Sequence, residues 1–219
     1  MRDSTFTDRD VIRLSLDFTF VELNSKKDSA LVSKYGVAAY PTVILFKSTG
    51  EEIDRIVGYL PPREFLKTVK SYLRGEGTLA DLERKLEASP SDVRLLYRVG
   101  EKYGDRSKYE EALKHYQNLI SVDPQNRRGK TDSALFKIAV VHRRQKENLT
   151  AIDGFKDLIR RFPETKLRFD AEEYIPYIHA GMGDSTTALK LYEKLLLDYP
   201  DLEKKEKEWI EKQINKLKE

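Results

Sequence analysis

The side chains best suited to acid–base, nucleophilic or metal chemistry are scarce in this sequence. It has three histidines, His115, His142 and His179, and no cysteine. Without a thiol, disulfide formation, thiolate metal sites and thiol catalysis are excluded for these 219 residues. No glycine-rich phosphate loop, Ser-His-Asp arrangement or metal-ligand cluster is present either. The sequence therefore predicts no catalytic residue, no metal and no cofactor.

Composition narrows the classes of partner. The 40 Lys and Arg residues nearly balance the 37 Asp and Glu residues, and both signs are spread evenly along the chain. A nucleic-acid partner is not expected, because there is no basic cluster. The longest apolar run, Val43 to Phe46, is far below the ~20 residues that cross a bilayer. The N-terminus lacks the apolar stretch of a signal peptide. The chain as given is expected to be soluble and cytoplasmic, with its compartment left open because the start looks incomplete.

A repeat occupies the C-terminal two thirds of the chain. Three segments share an alanine, an aromatic residue four positions later, a leucine three positions further on, and then a proline. The segments are Ala112, Tyr116, Leu119 and Pro124; Ala151, Phe155, Leu158 and Pro163; and Ala188, Tyr192, Leu195 and Pro200. Such self-similarity indicates stacked helical hairpins.

Upstream of the first alanine, the spacing Leu96-x2-Val99-Gly100-x2-Tyr103 completes a pattern that resembles the tetratricopeptide signature, with Leu96 in the usual Trp position. Small residues let two helices approach closely, and the proline ends the second helix. His142 and His179 recur at the position of Tyr103, which favours a shared packing role over a metal pair. The alternative to the repeat is an irregular helical bundle.

Helices are expected at both ends of this repeat. A stripe of leucines from Leu79 to Leu86 predicts a helix immediately before the repeat. Trp209, Ile210, Ile214 and Leu217 lie on one face of a charged segment, which predicts a capping helix from Glu203 to Leu217. Residues 78–219 are thus predicted to form an α-helical solenoid.

The N-terminal third follows a different pattern. Apolar runs predict strands at Phe18–Leu23, Val43–Phe46 and Ile53–Val57. A short helix around Ser29–Tyr35 and a second that opens at Pro61 complete the order β-α-β-β-α.

This order of elements resembles the second half of a thioredoxin-like domain. Three short motifs add to the resemblance: Lys34-Tyr35-Gly36-Val37, Tyr40-Pro41-Thr42 and Gly58-Tyr59. The resemblance covers about residues 1–75, and we assign residues 1–77 to a partial domain of this kind. It implies that Pro41 is a cis proline and that Tyr40, Pro41 and Thr42 form the loop that pairs with a substrate peptide. The alternative is that Pro41 merely shapes a turn before a strand.

Thioredoxin-like domains begin with a strand, a Cys-x-x-Cys turn and a long helix, which have no counterpart here. The spacing of Met1 from Phe6-Thr7-Asp8-x-x-Val11 is that of a methionine inside such domains, so we hypothesise that Met1 is an internal residue. A sheet without its central strand would be poorly stable or would be completed by another chain, which makes a homo-oligomer one candidate.

A concave surface lined by the first helix of each hairpin is the expected binding groove. Aromatic and Arg residues are typical of peptide-binding surfaces. Aligning the units assigns to it Arg94, Tyr97, Arg98, Glu101, Phe136, Lys137, Val140, Arg143, Glu173, Tyr174 and Tyr177. The alternative is that some of these aromatic residues pack between hairpins.

The sequence therefore predicts a two-part chain, a partial thioredoxin-like α/β domain followed by an α-helical solenoid. The expected function is a protein-interaction scaffold that binds a protein or peptide client and carries a redox-inactive thioredoxin-like module. Two alternatives stay open. The chain could be a fragment of a thiol–disulfide oxidoreductase whose Cys-x-x-Cys lies upstream of Met1, or a structural self-assembly module.

Overall fold

The structure is a computed structural model that describes Met1 and residues 3–219. It divides into two compact units, Met1–His115 and Tyr116–Glu219. The change of sequence pattern after residue 77 falls inside the first unit. The predicted fold class, an α/β part followed by helical hairpins, is confirmed.

The first unit begins with a small α/β layer. Its elements are α1 (Arg9–Arg13), a 3-10 turn (Leu14–Leu16), α2 (Ser29–Lys34), β1 (Thr42–Phe46), β2 (Glu52–Val57) and α3 (Pro62–Leu73). The two strands form an antiparallel hairpin that pairs Thr42 with Val57, and its register shifts between Leu45 and Phe46. Val11, Leu45, Ile56, Phe65 and Val69 form the buried core of this layer.

The strand predicted at Phe18–Leu23 is wrong. The segment carries no strand assignment, and Phe20, Val21 and Leu23 are exposed by 49%, 75% and 47%. The physical reason is that a strand needs a neighbour for its backbone hydrogen bonds. In the described residues, β1 pairs with β2 alone and no third strand lies beside it.

Helices complete the first unit. They are α4 (Leu79–Ala88), α5 (Val93–Gly104) and the start of α6 (Tyr109–Val122). Asp92 caps α5 by accepting hydrogen bonds from the backbone N–H groups of Arg94 and Leu95. The predicted lead-in helix at Leu79 to Leu86 is confirmed.

A buried carboxylate fixes the strand hairpin to these helices. Asp54 on β2 is 0% exposed, and its Oδ1 lies 2.9 Å from both Lys102 Nζ and Arg106 Nη2 of the first hairpin. Its Oδ2 accepts a 2.7 Å hydrogen bond from the backbone N–H of Leu79. The N–H of Arg55 donates to Oδ1 as well. One carboxylate thus satisfies donors from β2, α4 and the end of α5.

Arg55 forms a second connection from the same strand. Its guanidinium is buried, pairs with Glu52 at 2.6 Å, and donates to the carbonyls of Gly36 and Asp105 at 3.3 and 3.0 Å. Gly36 has a φ of +56°, and a Cβ there would lie 2.3 Å from the carbonyl oxygen of Arg106. Glycine is therefore required at this close approach, both by its backbone angle and by space.

The second unit contains the remaining hairpins. They are α7 (Thr131–Arg144) with α8 (Asn148–Arg161), and α9 (Arg168–Gly181) with α10 (Ser185–Asp198), followed by the capping helix α11 (Lys204–Lys218). A Cβ at Gly154 would lie 3.0 Å from that of Ala139, so α7 and α8 approach closely at small residues. α9 runs as one helix through Pro176. Tyr192, Leu195, Ile210 and Ile214 form the core beneath α11, as the capping prediction required.

Asp54→Ala is expected to lower the free energy of unfolding by about 3–5 kcal/mol, because two nearly buried cations and two backbone N–H groups would lose an acceptor. The measurement is a urea titration of the full chain followed by circular dichroism. The matched control is Glu51→Gln in the exposed Lys47–Glu51 pair, which should change stability by less than about 1 kcal/mol. Equal losses in the two variants would contradict the role given to Asp54.

Candidate protein-binding surface

The residues assigned to the groove divide between the two units. Arg94, Tyr97, Arg98 and Glu101 lie on α5 of the first unit, where both arginines are exposed and the other two are half-buried. The remaining seven lie on α7 and α9 of the second unit. The continuous groove through all of them stays a prediction, and each group is described within its own unit.

Two of the assigned aromatic residues belong to the packing of the second unit. Phe136 on α7 lies edge-on to Phe155 and Tyr174, with ring centroids 5.3 and 5.6 Å away. Tyr174 stacks on Phe155 at 4.9 Å. Val140 is 8% exposed in the same core. These side chains hold hairpins together, which is the alternative that the sequence left open.

Tyr177 is the exposed aromatic residue of this surface, and the half-buried Arg143 lies beside it. The guanidinium carbon of Arg143 lies 5.7 Å from the ring centroid of Tyr174 and 5.3 Å from that of Tyr177. Tyr177 is 43% exposed. Arg143 Nε is buried without a hydrogen-bond partner among the described residues. Two ring faces therefore hold this cation in position, without a carboxylate bonded to that nitrogen.

Lys137 and Glu173 are both half-buried, on α7 and α9. Burial raises the pKa of Glu173 above its usual range, and the charges of Asp170 and Glu206 add to the effect. A carboxylate in this setting is destabilised in its charged form. The sequence alignment of the units found Glu173 but missed its two acidic neighbours.

The loop that resembles a thioredoxin substrate loop lies in the first unit. The Tyr40–Pro41 peptide bond is cis, as the resemblance implied. Tyr40 is 61% exposed, and the Pro41 carbonyl accepts a 2.8 Å hydrogen bond from the N–H of Gly58. Thr42 begins β1, and its hydroxyl donates to the carbonyl of Ala39 at 2.6 Å. Their role in substrate binding stays a proposal.

The histidines have identifiable packing roles. Nδ1 of His142 lies 2.5 Å from Glu147, and Nδ1 of His179 lies 3.0 Å from Asp184, so both rings connect the first helix of a hairpin to the start of the second. The ring of His115 stacks on Tyr103 at 5.6 Å, and burial lowers its pKa. No metal-binding group of His, Asp and Glu occurs in the part of the chain that the structure describes.

Comparison with known families agrees with both resemblances. A family model for a thioredoxin-like domain matches residues 1–73. A tetratricopeptide repeat model matches residues 133–165 and 177–202. The N-terminal part of the chain is thus thioredoxin-like, and the helical hairpins of the second unit are tetratricopeptide repeats. Such repeats support a role in protein interaction.

Several curated thioredoxins are similar to the N-terminal part. The chain is 36% identical over 56 residues to thioredoxin M4 of Arabidopsis thaliana, covering 26% of this chain and 28% of that protein. It is 34% identical over 53 residues to a thioredoxin of Synechocystis, covering 24% and 49%. A further match is the M-type thioredoxin of Chlamydomonas reinhardtii, at 34% over 53 residues, covering 24% and 37%. The chain thus spans about half or less of the length of these relatives.

Two solved structures illustrate the extent of backbone similarity to this chain. A crystal structure of MamA has a TM-score of 0.48 and 19% identity, and the match covers 73% of this chain and 94% of that one. A structure of kinesin light chain TPR-like repeats from Podosopora anserina has a TM-score of 0.49 and 11% identity, covering 71% of this chain and 94% of that one.

In the described residues, no helix combines the length and apolar character needed to span a membrane.

Phe136→Ala should lower the free energy of unfolding of the second unit by about 2–4 kcal/mol, because it opens a cavity between Phe155 and Tyr174. Tyr177→Ala should cost less than about 1 kcal/mol, because much of that ring is already in water. Trp209 lies in the second unit and is the sole tryptophan, so its emission during a urea titration measures both variants. A larger loss for Tyr177→Ala would contradict these assignments.

Proposed function

We propose that the chain is a protein-interaction scaffold whose second unit binds a protein client through Arg143 and Tyr177, and whose thioredoxin-like part is redox-inactive in these 219 residues. The tetratricopeptide matches support the general role. The observation that carries the specific surface is the guanidinium of Arg143, held by two tyrosine rings.

The chemistry of this pair indicates what it would bind. A guanidinium donates paired hydrogen bonds to a carboxylate, and its stacking on aromatic rings fixes the direction of those donors. The exposed ring of Tyr177 offers apolar area with little loss of conformational freedom. A client segment with an acidic residue next to an apolar one fits both groups.

In a capture experiment from source lysate, Arg143→Ala and Tyr177→Ala should each weaken a client by about 1–3 kcal/mol, because each removes a rigid anchor from the surface. Captured proteins are identified by mass spectrometry, and their affinity is then measured by calorimetry with the purified chain. Circular dichroism should show that both variants remain folded.

Lys205→Ala is the control for this experiment, because Lys205 is exposed on α11. It should leave client affinity unchanged. Light scattering on each sample separates binding of a client from self-association, which the exposed Phe18–Leu23 segment and the open edge of β1 also favour. Clients that are retained equally by all variants would show that Arg143 and Tyr177 are not the binding surface.

Thiol–disulfide exchange is the second candidate function for a longer protein. It is favoured by the exposed ring of Tyr40 and by the thioredoxin-like match. The reaction needs a thiolate nucleophile, and these 219 residues contain none. Cys-x-x-Cys codons in frame upstream of Met1 would support this candidate.

In an insulin-reduction assay with dithiothreitol, the 219-residue chain should give the rate of the buffer blank, because no thiolate can attack the insulin disulfide. An authentic thioredoxin serves as the positive control. Thiol-dependent turnover that copurifies with the chain would contradict the proposed redox inactivity.

A further inference from the structure

One face of α3 carries a row of cations without a counter-charge. Arg63, Lys67 and Lys70 follow one another at spacings of four and three residues, which places them along one side of the helix. All three residues are exposed. None of their side chains forms an ion pair or a hydrogen bond within the part of the chain that the structure describes. We call these three residues the basic stripe.

A groove lined by α1 and α3 runs beside the basic stripe. It has a volume of about 740 Å³, and every residue of the basic stripe is part of its lining. Pro62 and Leu66 of α3 add apolar lining, and Asp8 and Asp10 at the start of α1 add acidic lining. The groove therefore has a cationic side on α3, an acidic side on α1 and apolar surface that a ligand can bury.

The two sides of the groove differ in how far their charges are already compensated. Asp10 pairs with Arg13 at 3.0 Å. Asp8 caps α1, where its carboxylate accepts hydrogen bonds from the backbone N–H groups of Asp10 and Val11. The basic stripe has no such partner in the described residues. The uncompensated charge of the groove is thus positive, and the ligand that it would attract is anionic.

The spacing of the basic stripe favours a helical ligand. Arg63 and Lys70 are about two turns, or about 10 Å, apart along the axis of α3. A helix that lies beside α3 can present three carboxylates at the same spacings of four and three residues, one for each cation. An apolar residue on the same face of that helix would contact Pro62 or Leu66, as amphipathic helices do in grooves.

The acidic side of the groove argues against a polyanion as the ligand. A nucleic acid or an anionic lipid surface presents phosphates in every direction that faces the protein, so Asp8 and Asp10 would repel part of it. A helix with carboxylates on one face can turn a neutral face toward these two residues. The charge pattern of the groove therefore selects a one-sided anion.

We propose that the groove between α1 and α3 binds an acidic helix of a partner protein through the basic stripe. This surface belongs to the first unit, so it goes beyond the role proposed for Arg143 and Tyr177 and does not depend on it. It gives the chain a second binding surface, whose partner is chosen by the spacing of its acidic residues.

A designed peptide tests the charge requirement with the full chain. The probe is Leu-Ala-Ala-Glu-Ala-Ala-Ala-Glu-Ala-Ala-Glu-Ala-amide with a neutral dye at its N-terminus, and binding is measured by fluorescence anisotropy. The chain should bind this Glu peptide saturably, and the same peptide with Gln in place of Glu should bind at least about tenfold more weakly. Added salt should weaken the binding of the Glu peptide, because the cations are in water.

Lys67→Gln combined with Lys70→Gln should weaken the Glu peptide about tenfold, because two of the three cations are lost. The matched control is Lys26→Gln with Lys27→Gln, which changes the net charge equally at two exposed positions of the same unit that are outside the groove lining. The control should keep the affinity of the unmodified chain, and so should Arg143→Ala. Circular dichroism shows whether each variant is folded.

A charge exchange separates recognition from any structural effect of these substitutions. Lys67→Glu combined with Lys70→Glu should lose the Glu peptide and gain saturable binding of the same peptide with Lys in place of Glu. A variant that is damaged in its fold would lose the first peptide without gaining the second.

The proposal is overturned if the Glu peptide does not bind, if the Glu and Gln peptides bind equally, or if the substitutions at Lys67 and Lys70 change affinity no more than the control. Loss of the Glu peptide in Arg143→Ala would assign the binding to the second unit and would also overturn it. A short DNA duplex and vesicles of anionic lipid are titrated in parallel. If either binds through Lys67 and Lys70 at least as tightly as the Glu peptide, the groove is a polyanion surface and the acidic helix is rejected.

Discussion

The buried carboxylate of Asp54 is the interaction on which the first unit depends. A charge without access to water is strongly destabilising unless cations and hydrogen-bond donors surround it, and here Lys102, Arg106 and two backbone N–H groups do so. These contacts with Asp54 form only when β2 packs against α4 and α5. The thioredoxin-like elements, which would otherwise have a two-stranded sheet and a small core, thereby share their stability with the helices. This explains why the compact unit extends to His115 rather than ending near residue 77.

The helical part follows simpler rules, and most of it could be predicted from the sequence. Ala112, Ala151 and Ala188 are 0% exposed, as expected for close contacts between helices, and the aromatic residues four positions later are buried. The recurrence of His142 and His179 also predicted a structural role. Local periodicity predicts such contacts because each helix packs against the helices next to it along the chain.

What the sequence could not show depends on partners distant along the chain. The run Phe18–Leu23 has the composition of a strand, but composition does not show whether a neighbouring strand is present. Asp54 interrupts an apolar strand pattern between Ile53 and Ile56, and this was the available signal for a buried ion pair, although its partners lie about 50 residues away. The groove assignment has the same weakness. Alignment assigned both Phe136 and Tyr177 to the groove. The structure shows that Phe136 packs against Phe155 and Tyr174, whereas Tyr177 is exposed.

The unpaired polar groups of the second unit bear on function for an energetic reason. Arg143 Nε and the hydroxyl of Tyr192, both in the second unit, are buried and have no hydrogen-bond partner among the described residues, as is also true of His115 Nδ1 in the first unit. An unpaired buried donor or acceptor lowers the stability of the free protein, and a ligand that supplies its partner would offset that cost. Under the proposed function, an acidic residue of a client would supply the acceptor that Arg143 Nε lacks in the free protein.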